Sequence, residues 1–189
     1  MFKMFIDQIA MTMFGTMLAL ATRGKQGLFL ASSIFSILFY LVLLYTVGWE
    51  IGARDKIRID GGRMKPSPAK GFLIALGANC PNLILAVLIG VGVMINTEWS
   101  ANMALVCNAI ARLAEGMYLG VINVLERTIY PPIEAGTVTS ADIRDVWWWF
   151  IVIVIPALFV GWLSYYLGSR DISISRLLGI KRKDDSRVR

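Results

Sequence analysis

Three stretches of this chain contain no charged residue: Leu28 to Trp49, Gly71 to Ile95 and Val146 to Leu167, of 22, 25 and 22 residues. At about 1.5 Å per residue in a helix, each is long enough to cross a hydrocarbon core about 30 Å thick. Lipid offers no water to backbone N–H and C=O groups, so such runs must be helices that satisfy their own hydrogen bonds. Composition agrees. The chain is 57% hydrophobic and 17% charged, where soluble domains carry about a quarter charged residues. The sequence therefore reads as all-α, a polytopic integral membrane bundle forming one membrane domain over residues 1–189.

Two further apolar segments are less plain. Residues 4–22 contain Asp7, Gln8, Thr12 and Thr16, which suit either a span or an interfacial helix. Ala19-Leu20-Ala21 imitates a signal-peptidase site, yet Asp7 sits where a leader would be basic; an uncleaved first span is expected. Ala101 to Leu125 is long enough to cross but holds Arg112 and Glu115. Charge counting decides between its two placements. If it does not cross, Lys3, the six basic residues of Arg54 to Lys70 and the seven of Arg170 to Arg189 share one side, 14 against five. If it crosses, the split is nine against nine with Arg112 in lipid. The positive-inside rule selects the first. The expectation is four spans (4–22, 28–49, 71–95 and 146–167) in the plasma (inner) membrane, with both termini cytoplasmic. Residues 100–127 then form an outer amphipathic or re-entrant helix, 54–70 a cytoplasmic loop and 168–189 a basic cytoplasmic tail. Trp99 and Trp147 to Trp149 mark the outer interface on this scheme, Trp49 and Trp162 the inner one.

Polar residues inside these segments are the candidates for function. Asn79, Pro81 and Asn82 lie near the middle of the third span. Pro81 displaces the carbonyl of Gly77, which predicts either a kinked helix glued to its neighbours through the amides or a broken helix lining a small polar site. On a straight helix, Asn108, Arg112, Glu115, Asn123 and Glu126 fall within about 80° of one another. Such a stripe either faces water at the outer surface or turns inward to pair with Asn79 and Asn82. Small residues recur at four-residue spacing in Ser32/Ser36, Gly48/Gly52, Gly116/Gly120 and Ser164/Gly168, the pattern that lets helices approach closely in lipid, within the chain or with a partner. Glu50 and Arg54 form an i,i+4 pair. In the tail, Lys181, Arg182 and Lys183 follow a short apolar face and suit anionic headgroups on the cytoplasmic side.

Several chemistries lack their residues. Histidine is absent, removing the commonest metal ligand and neutral-pH base. Cys80 and Cys107, far apart in apolar segments, are expected to be buried free thiols. The loop Ile57 to Gly71 lacks phosphate-cradling spacing, and the basic balance suits anionic lipid rather than nucleic acid. No catalytic residue, cofactor or metal is expected. The function expected is a non-enzymatic subunit or scaffold of a membrane protein complex, associating with other membrane subunits or with itself. The alternative is a small channel or transporter component, with a broken third span and the polar stripe lining its pathway.

Overall fold

The computed structural model describes residues 2–22, 24–65, 67–95, 97–129 and 147–172, with the backbone alone for 126–129. All regular structure among them is helical: α1 (Phe2–Ala21), α2 (Gln26–Asp60), α3 (Ala69–Ile95), α4 (Glu98–Ala114), a single 3₁₀ turn (Gly116–Tyr118), α5 (Leu119–Ile129), α6 (Trp149–Val152) and α7 (Ile155–Ser169). Pro156 cannot donate to the Val152 carbonyl, which explains the turn between α6 and α7. Four helices are long and apolar enough to cross a membrane: α1, α2, α3 and the Trp149–Ser169 run.

Two clasps register α1 antiparallel to α2. Lys3 Nζ meets Glu50 Oε2 at 3.0 Å, and the Thr22 and Ser32 hydroxyls meet at 3.3 Å. Further ion pairs join Lys70 to Asp55 and Lys56 to Asp171. The start of α1, the end of α2, the start of α3 and the end of α7 thus share one charged end of the bundle. At the opposite end, Gly92 of α3 packs on Ser100 and Ala104 of α4, and the Trp147 ring covers Gly90. Residues 98 and 147 therefore both lie towards the end of the bundle where α3 finishes.

Between those two points the chain does not run straight. A capping box, with Thr97 and Ser100 bonding each other's backbone N–H, starts α4. Beyond Glu115 the helix axis turns by 82°. The segment after the bend leads back towards the start of α2, where Gly120 abuts Phe29 and Ser33. All four small-residue pairs serve packing inside the chain. A Cβ on Gly48 would overlap Ser164 Oγ, one on Gly52 the backbone at Tyr165, and one on Gly168 the backbone at Trp49, so α2 and α7 run backbone to backbone. Gly116 abuts Thr12 and Thr16 of α1, and Ser36 is fully buried.

One alternative is removed and one expectation corrected. Of the two readings of the third span, kinked or broken, the broken one is removed, because α3 is one continuous helix through Pro81. The Asn79 amide donates to the Ala75 carbonyl at 3.0 Å, while the carbonyl that Pro81 leaves without its usual donor is that of Gly77. Cys80 is exposed, because it lies on the face of α3 opposite Asn79 and Asn82, whereas Cys107 is buried.

Candidate functional site

The bend after α4 is built by contacts with α1 and α2. Thr12 donates to the Ala114 carbonyl at 2.7 Å, replacing a bond the helix loses where it breaks. Ser33 does the same for the Met117 carbonyl, and Gly15 lets the Met117 backbone lie directly on α1. Thr12 is central in α1, so these bonds hold Glu115 at mid-depth in the bundle.

Glu115 is 1% exposed, and its Oε2 has no hydrogen-bond partner. Two neighbours share that condition. Gln8, 5% exposed, lies one turn before Thr12 and leaves Oε1 unpaired. Tyr40, 1% exposed, stands beside the Asn79 amide and within electrostatic reach of Asp7 and Glu115, yet its hydroxyl closes no hydrogen bond. Tyr118 of the 3₁₀ turn approaches both Tyr40 and Glu115. By the α1–α2 register, Tyr45 lies near the level of Gln8, and its hydroxyl is unpaired too. Buried polar groups are nearly always hydrogen-bonded, so an accumulation of unpaired ones in a single region requires an explanation.

Comparison with family models, curated proteins and solved structures finds no match to this chain.

The sequence-predicted residues distribute unevenly around this centre. Asn79 and Asn82 are buried on the inner face of α3, while Pro81 is on its exposed face. Asn108 and Glu115 are buried; Arg112 and Asn123 are half-buried. The bend falls between Glu115 and Asn123, so a straight-helix projection does not apply across it. The Glu126 side chain and Lys181, Arg182 and Lys183 lie outside the described residues. Gly48 and Gly52 belong to the α2–α7 seam, and Gly116 and Gly120 to the walls of the centre.

Gln8, Tyr40 and Tyr118 were not singled out from sequence. For Gln8 a signal existed: Met4, Gln8, Met11 and Gly15 share one helical face, and the other three are small or apolar. A second buried carboxylate also escaped notice as a structural group. Asp55, 3% exposed, accepts from Tyr165 Oη at 3.0 Å and from Lys70, with Arg58 at 3.9 Å, tying α2, α3 and α7 together. Among the described residues, no group of three or more Cys, Asp or Glu side chains is arranged to hold a metal ion.

Proposed function

We propose that this chain is a small channel or transporter component whose pathway is organised round Glu115. One observation carries the reading: an acid buried at mid-depth, at the point where a helix breaks, with an oxygen that nothing in the protein satisfies. Ionisable residues in the membrane interior are expensive and characteristically line routes for ions or polar solutes. Broken helices within a membrane domain are a common way to build such sites. In this reading residues 98–129 are re-entrant, entering and leaving on the outer side. The charged end, carrying Lys3, Lys70 and Arg170, faces the cytoplasm and its anionic lipid.

A non-enzymatic subunit or scaffold is the second reading. Its motif support is reduced, because the small-residue pairs are occupied in packing within the chain. Reconstitution separates the two. Vesicles containing the full chain should swell osmotically in some members of a panel of alkali salts and small polar solutes, faster than protein-free vesicles. Failure across the panel, with stoichiometric co-purification of another membrane protein in mild detergent, would replace transport by the subunit reading.

A further inference from the structure

The transport reading leaves open what Glu115 binds, and the unpaired atoms around it narrow the choice. Three donors nearby are committed: Thr12 to the Ala114 carbonyl, Ser33 to that of Met117, Asn79 to that of Ala75. The unpaired atoms are oxygens. Glu115 Oε2 and Gln8 Oε1 both lack a donor, and the Tyr40 hydroxyl is free to give or accept. Among the described residues, the charged and titratable groups about the site are Asp7 of α1, a second acid, Tyr40 of α2 and Tyr118 of the 3₁₀ turn, with Tyr45 of α2 near the level of Gln8. α3 contributes the uncharged Asn79. On α4, Arg112 precedes Glu115 by three residues, half-buried and with an interaction of its own.

A region rich in acceptors with two carboxyl groups suits a cation. Hard metal ions collect about six or more oxygens, and among the described residues three unpaired oxygens of this centre belong to almost fully buried side chains. A proton needs one. It removes the charge that makes a buried carboxylate costly and converts an acceptor-only group into a donor.

Resting on the transport reading, we propose that Glu115 is the proton-carrying group of the pathway, loaded when enclosed and released to water when the joint between α4 and α5 moves. The joint is suited to movement. A 3₁₀ turn replaces α-helix there, a frequent mark of a hinge.

The test uses the full chain in lipid vesicles and infrared difference spectroscopy between neutral and alkaline buffer. The wild type should show a carboxylic-acid carbonyl band at neutral pH that shifts in heavy water and disappears reversibly in alkali. Glu115→Gln should lose the band while its melting temperature stays within a few degrees of wild type, and Glu115→Asp should restore a shifted band. Identical wild-type and Glu115→Gln spectra would overturn the proposal, as would a band abolished by sodium ions at constant pH. Proton entry, read with a trapped pH dye under a potassium diffusion potential, isolates the parent reading. A band that behaves as stated in vesicles passing neither protons nor solutes leaves the proton site standing and removes transport. Solute flux with unaltered pH dependence in Glu115→Gln removes the proton site and leaves transport.

Discussion

Asp55 and Glu115 are both buried carboxylates, and their surroundings are opposite. Asp55 lies at the charged end of the bundle, where Lys70, Tyr165 and Arg58 supply donors from three helices. Glu115 lies at mid-depth with Oε2 unpaired, within electrostatic reach of Tyr40, whose hydroxyl is unpaired as well. Both regions bring backbones together through glycines, Gly48, Gly52 and Gly168 in one and Gly15, Gly116 and Gly120 in the other. Close packing is therefore common to both, and the difference lies in whether polar groups are satisfied. A fully paired buried acid is what a structural joint needs. An acid left bare in a well-packed region is the feature on which the transport proposal rests.

The largest effect is expected where packing alone is attacked. Gly48→Leu with Gly52→Leu places two isobutyl groups into space held by Ser164 and the Tyr165 backbone. Overpacking costs about 1 to 3 kcal/mol per site, and neither obstruction can retreat without separating α2 from α7. Thermal unfolding in detergent should fall steeply or the protein should fail to accumulate. Gly27→Leu, where nothing lies within 4 Å, is the control and should be neutral. If the double variant melts like wild type, the α2–α7 contact is looser than described.

Asp55→Asn comes next. It keeps the shape but withdraws the charge from Lys70, and removing one partner of a buried pair costs about 3 to 5 kcal/mol. Lys70 keeps 35% of its side chain exposed, which puts the loss at the lower end, about 3 kcal/mol. The contrast with Glu115→Gln is the informative part, because the same kind of substitution at the bare acid should leave stability nearly unchanged. Equal losses at the two sites would erase the distinction between them.

Three of the four helices long and apolar enough to cross a membrane could be read from sequence, because hydrocarbon imposes one rule on every residue of a span and uncharged runs of 22 to 25 residues satisfy it. The charged end of the bundle was readable too, although Arg54, Lys56 and Arg58, expected in a loop over 54–70, continue α2 to Asp60, and Lys70 lies in α3. The joint at Glu115 was not. Projecting Asn108 to Glu126 at 100° per residue assumes a straight helix, and that assumption fails at the residue of most interest. Gly116 and Gly120 carried a hint, each costing about 1 kcal/mol in a helix interior relative to alanine, but they also fitted a helix-packing motif. Asn-Cys-Pro-Asn left two readings open, a kinked helix or a broken one, and α3 continues through Pro81 as a single helix.

The Asn79 amide supplies the smallest effect. If Asn79 does no more than serve the Ala75 carbonyl and stand beside Tyr40, Asn79→Ala should cost about 0.6 kcal/mol and at most about 1.7, the range for hydrogen bonds within membranes. The helix already bonds through its backbone on either side of the proline, so most of the carbonyl's partnership survives the loss. Tyr40, whose hydroxyl is unpaired to begin with, loses a neighbour rather than a bond. Activity should then follow the small loss of stability. A variant that melts like wild type but loses flux would assign Asn79 to the Glu115 centre, and the boundary between satisfied and unsatisfied regions would move to include the middle of α3.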